Sequence, residues 1–331
     1  MATFLERYQA GEHVVVWDEL MALGGGVRSE PYYADALAVA AETMRRARRN
    51  VELLIQRLDA KGYRFRDRVS SGEEKLSRLN VMDQMSAQFE SMAKRTPTSY
   101  NIHSMKMLET MQAMKAKMAP FLEKAAANAA KEAAATRKPP LEDPYVFSPP
   151  DAETPGLLER LEKAAGGPVP LSLRAWYEQV GGVSLMGSDQ NLNPVDFSNR
   201  NVLQQFQSLV KGAMPIPSPG EECAPDPLVI YPLDALMDDL LDEDREESDD
   251  GEELQLVISP DDLHKANISG DAYYITLPDA GADFKFDDWH NSTFVNYLRK
   301  VFQWGGFPGW ERSKNPPSKE LAELSEGLLP L

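Results

Sequence analysis

Scarcity is the first thing this chain shows. Its 331 residues include one cysteine, Cys223, and four histidines. A single thiol closes no internal disulfide and suits a reducing compartment. No window comes near the roughly 18 uninterrupted apolar residues that span a bilayer. The opening stretch, Met1 to Gln9, carries an acid and no apolar run, so it does not read as a secretory signal. Together these absences point to a cytoplasmic protein without a membrane partner.

Positive charge is short in one half only. The formal net charge is -17; residues 1–150 hold 22 Lys+Arg against 19 Asp+Glu, a balance of +3, and residues 151–331 hold 13 against 33, a balance of -20. A field of that sign repels nucleic acid and draws in basic proteins through fast, salt-sensitive encounters. Its steepest part is Asp238 to Glu253, where eleven carboxylates face the lone Arg245. Carboxylates at that density repel one another, so the stretch reads as a solvated loop between a helix and a strand, with an acidic docking surface for a basic partner as its functional use. Calcium is a poorer match, because the acid, glycine and closing-glutamate order of an EF-hand is missing.

Groups that could do chemistry are present but not arranged for it. Ser259, Asp261, Asp262 and His264 lie close together, yet Ser259-Pro260-Asp261-Asp262 reads as a cap opening a short helical turn. His290 follows Trp289 beside Asp287 and Asp288 in no recognisable motif, and His103 has no second ligand three or four residues away. Cys223 stands beside Glu221 and Glu222, whose charge disfavours a reactive thiolate. The triple glycine at 24–26 lacks the preceding strand and following Lys-Ser or Lys-Thr of a phosphate loop, and reads as a helix stop. The expectation is no enzyme, no cofactor and no metal.

What is abundant is helix signal. Residues 2–22 suggest two short helices. From Asp35 to Lys61, Met44, Ala47, Val51, Leu54, Ile55 and Leu58 recur at three and four residues, and Gly62 ends the run. Arg45, Arg46, Arg48 and Arg49 crowd the other side of that helix. Glu42, Glu52 and Asp59 are interleaved with them at pairing distances, so they read as a solvated face, with docking against the acidic second half as a further possibility. Residues 70–136 look helical around a break at Thr96-Pro97-Thr98, and hold eight of the fourteen methionines, Met82 to Met118. Such a face fills irregular gaps or makes a yielding binding surface. Six prolines between 139 and 155 then stiffen the chain and mark a boundary.

Beyond it helix and strand signals alternate: helices near 156–165, 172–180, 200–211, 233–241 and 293–303, strands near 183–187, 228–231, 254–258, 272–277 and 284–286. Strands that gather late and neighbour one another favour a mostly antiparallel sheet flanked by helices. The stretch the domain is organised around is Pro168 to Gly187. There Leu173, Trp176, Tyr177 and Val180 make an apolar stripe, Gly181 and Gly182 stop the helix, and Val183 to Met186 leave as a strand.

A proline-flanked L-x-x-(W/F)-(Y/L)-x-x-x-G-G segment running into a strand resembles the signature of the SUKH superfamily, which includes fungal cell-wall synthesis regulators and bacterial toxin-immunity proteins. Three later stretches resemble it in the same order. Asp226 to Leu236 looks like that family's strand and following helix start, Gly270 to Leu277 like its central strand, and Asn291 to Leu298 like its closing helix. The likeness covers about 151–311; the length of 188–226 and the acidic run after Leu236 depart from the pattern.

The expected protein is therefore α+β in class. An all-α domain at 1–138 precedes a Pro-rich linker at 139–155, a SUKH-like domain with a mostly antiparallel sheet at 156–311, and a polar tail at 312–331. The resemblance implies a bacterial immunity protein that neutralises a basic toxin domain by occluding it. The expected contact residues are Asp238, Asp239, Asp242, Glu243 and Asp244, and no nucleic acid is involved. A reading of another class is an intracellular scaffold or regulator that binds partners through the Met-rich helices.

Overall fold

The computed structural model describes residues 2–65, 138–189, 192, 225–240, 254–265, 272–286 and 292–331, apart from the side chains of Asp238, Asp239, Leu263 and His264. The helices expected within 70–136 and 200–211 lie outside these residues. The chain divides into two compact units. One gathers Met1–Phe65, Pro139–Pro194 and Pro219–Leu331; the other, Arg66–Lys138 with Val195–Ser218, falls outside the described residues except at Lys138. The first unit is α+β, with helices packed around small antiparallel sheets.

Three helices open it. Helix α1, Phe4–Gln9, starts on a capping box in which the Thr3 hydroxyl accepts from the Glu6 N–H and the Glu6 carboxylate accepts from the Thr3 N–H. Helix α2 runs His13–Ala22 and carries no side-chain cap. The triple glycine stops it, as its composition suggests, by turning into a 3₁₀ helix at Gly24–Arg28. Helix α3, Tyr33–Ala60, is the longest among the described residues, and the seam of Met44, Ala47, Val51, Leu54, Ile55 and Leu58 is fully buried along it. Asp35 in its first turn accepts from the N–H groups of Phe4 and Leu5 at 2.6 and 3.1 Å, which fixes α1 on α3.

The compact unit runs across the boundary expected at 138/139. Strand β1, Arg64–Phe65, pairs with a strand far beyond the prolines, and the prolines themselves do not make a free spacer. They carry a 3₁₀ turn at Pro140–Glu142 and strand β2, Phe147–Ser148. Helices α4, Thr154–Ala164, and α5, Leu171–Gln179, follow, and α5 packs along α3. Met1–Phe65 thus shares one hydrophobic core with the second half of the chain, where the sequence suggested separate domains.

Next come β3, Gly182–Ser184, and β4, Gly187–Ser188, then β5, Val229–Ile230, and helix α6, Leu233–Leu240. Strand β3 sits between β2 and β5, and β4 pairs with β1, all antiparallel. Strand β6, Leu254–Pro260, and β7, Ala272–Leu277, flank helix α7, Asp262–Lys265, and form the longest ladder among the described residues, with an irregularity between Val257 and Ser259. Alternation along β7 turns Tyr273, Ile275 and Leu277 into the core. Strands β8, Lys285–Phe286, and β9, Ser292–Thr293, make a last pair before helix α8, Phe294–Gln303.

The glycine-rich turn after α8 folds back as its aromatics suggest. Phe307 is fully buried, Gly306 O accepts from Leu228 N–H at 3.0 Å, and Pro225 O accepts from Gly309 N–H at 3.1 Å. The polar tail is not a free tail. It forms helix α9, Ser318–Ser325, with Leu321, Leu324 and Leu331 buried. Cations of α3 hold it through backbone oxygens: Arg46 donates to Pro330 O at 3.2 Å and Arg57 to Leu324 O at 2.7 Å. Asn50 both donates to Leu329 O and accepts from Leu329 N–H.

Candidate functional site

The Trp176 stretch turns out to be architecture. Trp176 is fully buried against the edge of Phe294, 5.4 Å between ring centres, and its indole N–H donates to Gly181 O at 2.7 Å. Burial of a side chain this size contributes about 2–3 kcal/mol from area alone. The two glycines are each required by close approach. Gly181 sits at φ +87, and a Cβ there would lie 2.1 Å from Ser148 O; at Gly182 it would meet Pro232 Cβ at 2.7 Å. Asp283 pins this helix to α8, accepting from the Ser172 hydroxyl at 2.7 Å and the Val295 N–H at 3.1 Å, while burial pushes its carboxyl above the usual range.

Of the expected contact residues, Asp238 and Asp239 lie in the second half of α6. Asp242, Glu243 and Asp244 fall outside the described residues. What the structure describes of α6 is its anchorage. Leu233, Leu236 and Met237 are buried, Leu240 packs against the core, and Asp234 is exposed. An i, i+3, i+4 stripe is thus used up inward, and the acidic run leaves from a seated helix.

The hydrolase-like run at 259–264 behaves as a turn. The Ser259 hydroxyl donates to Pro260 O at 3.0 Å, and the chain passes into α7. Behind α7 lies a buried ion pair the sequence does not announce. Lys265 Nζ reaches Asp226 Oδ1 at 2.6 Å, both side chains are 0% exposed, and the ammonium sits 5.2 Å from the centre of the Tyr273 ring. Asp226 takes the left-handed conformation, φ 51, that aspartate tolerates better than most residues. Burial pushes its carboxyl up and Lys265 opposes the shift. At the rim, Arg312 pairs with Asp262 at 3.0 Å.

Sequence reasoning also missed a cleft of about 620 Å³ between the start of α2, the end of α8 and the segment after α9. Val14 and Val15 on its lip are 54% and 49% exposed. Arg299 lies in its wall and donates to Leu331 O at 2.9 Å, His13 O at 3.1 Å and Asn296 Oδ1 at 2.5 Å. The His13 ring lies edge-on to Tyr8 and its Nε2 accepts from Arg46 at 2.7 Å, which requires that nitrogen to be unprotonated. Burial, with Arg46 and Arg299 nearby, holds the imidazole below its ordinary value. The signal in the sequence was slight: an apolar Leu328-Leu329-Pro330-Leu331 after a polar helix.

Among the described residues no group of three or more His, Cys, Asp or Glu is placed to hold a metal ion, and no helix is long and apolar enough to cross a membrane. Comparison with protein-family models, curated proteins and solved structures finds no match.

Proposed function

We propose that this chain is a non-catalytic, SUKH-like protein-binding protein of the bacterial cytoplasm, which neutralises a basic, nuclease-type toxin domain by covering its substrate groove. The observation that carries the reading is the anchorage of α6. Its apolar residues are spent in the core, and an eleven-carboxylate run begins on it at Asp238, in a half of the chain with a balance of -20. A negative surface held by a fixed helix speeds encounter with a basic partner and positions it, because complementary fields act before contact. The order of elements also supports the resemblance: α5 and its glycine stop lead into β3, β5 leads into α6, and β7 precedes α8, at the stretches the family's motifs occupy. Occlusion asks for no bond to be made or broken.

Co-expressing the full chain with the toxin domain encoded beside its gene tests this, with colony growth as the readout. The native chain restores growth. A variant carrying Asp238→Asn, Asp239→Asn, Asp242→Asn, Glu243→Gln and Asp244→Asn keeps its melting temperature, loses protection and loses the salt dependence of its association rate. Equal protection by that variant overturns the acidic-surface reading. Protection lost only when Met82 to Met118 are replaced by glutamine points instead to the scaffold class.

A further inference from the structure

The arm from Ser318 to Leu331 lies on the fold as a separate piece, held by contacts from α3 and α8. From α3, Asn50 donates to Leu329 O and accepts from Leu329 N–H, Arg46 and Arg57 donate to Pro330 O and Leu324 O, and Lys61 pairs with Glu323. From α8, Arg299 donates to Leu331 O, and the turn that follows fits closely: a Cβ at Gly305 would lie 2.7 Å from Leu324 Cβ. Leu321, Leu324 and Leu331 are buried against this surface. The join before the arm is built differently. Lys314 and Asn315 are exposed, and Ser318 N–H donates to Pro316 O at 2.8 Å across Pro317, whose φ -73 and ψ 68 make an inverse γ-turn. Proline keeps nearly the same φ in the extended polyproline conformation, where ψ is about +145°. One torsion and one local hydrogen bond therefore separate the seated arm from a straightened join.

We infer that two copies of this chain pair by exchanging these arms, each laying Ser318–Leu331 into the other's groove on α3 and α8. A second copy brings the identical arm to the identical groove, so every contact is remade and the pair closes on a two-fold axis. A foreign peptide could meet the main-chain donors, but it would also have to bring leucine to the three buried positions. In the pair the cleft beside α2 is built from two chains, lined by Val14 and Val15 of one and by Leu328 and Leu329 of the other. Exchange competes with return of the arm to its own groove, which a short tether favours at an effective concentration on the order of millimolar. Dilute chains close on themselves; blocking that return, or raising the concentration, gives the pair.

Shortening the join is the test. Deleting Lys314, Asn315 and Pro316 keeps arm and groove intact but leaves the arm too little chain to return, and light scattering then gives twice the mass of the native chain. A carbodiimide joins Lys61 to Glu323 as an amide wherever the two are paired, which marks whose arm lies in whose groove. In the shortened protein refolded from a mixture of isotope-labelled and unlabelled chains, the joined peptides include pairs of one labelled and one unlabelled partner. The native chain refolded dilute gives like-labelled links only, and refolded at about 1 mM, the scale of that effective concentration, it gives mixed ones. Should the shortened chain fail to fold, the native chain still decides. A shortened chain that folds yet stays monomeric, a dimer whose links join like labels only, or like-labelled links alone in the concentrated native chain overturns the inference. None of these results bears on toxin protection.

Discussion

Replacing Lys265 by methionine tests the buried pair and the reasoning about burial together. Methionine keeps the length and apolar character of the lysine stem, so the change removes the ammonium and little else. What remains is a fully buried Asp226 whose Oδ1 has lost its partner and whose Oδ2 has no hydrogen-bond partner in the native fold either. Removing one member of such a pair costs about 3–5 kcal/mol, because an uncompensated charge is left in a poor solvent for it. The variant can escape part of that cost by protonating the carboxyl. Its folded-state value is raised by burial above the unfolded one, so the folded state binds the extra proton, and stability falls as pH rises through that window, by up to about 1.4 kcal/mol per pH unit. Lys265→Met is therefore most damaged near pH 8 and recovers toward pH 5. Adding Asp226→Asn, which still tolerates the left-handed backbone, restores much of the loss, and the double-mutant cycle shows a coupling of about 2 kcal/mol or more. Urea unfolding followed by the fluorescence of Trp17 and Trp176 reads these values. A single variant within about 0.5 kcal/mol of native at pH 7, or a penalty that grows as pH falls, refutes the account.

Three further perturbations probe the same fold. Gly181→Ala forces a side chain onto φ +87 and against Ser148 O, and should cost at least about 1–3 kcal/mol, while Gly156→Ala in α4, with open space around it, should be neutral or gain a few tenths. A fragment of residues 139–331 loses the buried seam of α3 and should bind a hydrophobic dye without a cooperative transition; a sharp transition at the native midpoint contradicts the shared core. Protonating His13 removes the acceptor Arg46 uses and adds a charge beside Arg46 and Arg299, with Glu42 the opposing acid. Its folded value is depressed, so the contribution is present above the ordinary histidine range and lost as pH falls through it. Amide exchange in α9 and the residues after it should accelerate between pH 7.5 and pH 5, and His13→Gln should flatten that dependence.

Helices were legible wherever one face repeats: α3, α5 and α8 fall within a few residues of the stretches their apolar stripes mark. Strands β6 and β7 fall close to the runs marked near 254–258 and 272–277, the second also by its likeness to the family's central strand. Strands β1, β2 and β9 were not legible, since two residues hold no period, and the partners of β1 and β2 lie far away in sequence. The prolines at 139–155 predicted a spacer because proline opposes helix, but a two-residue strand between prolines obeys the same rule. Helix α9 was hidden by having only Leu321 and Leu324 on its buried side. For function, the motif around Trp176 proved to be packing, and Asp226 with Lys265, 39 residues apart, had no local signature. The cleft joins position 13 to position 331, a pairing that only the folded core makes.

One consequence follows from how α3 grips the end of the fold. Arg46, Asn50 and Arg57 hold main-chain groups of residues 324–330 and none of their side chains. Such a grip is indifferent to residue identity, so Leu329 and Pro330, which are not buried, can change while the path of the segment stays fixed, and the cleft floor they lay down can be retuned one side chain at a time.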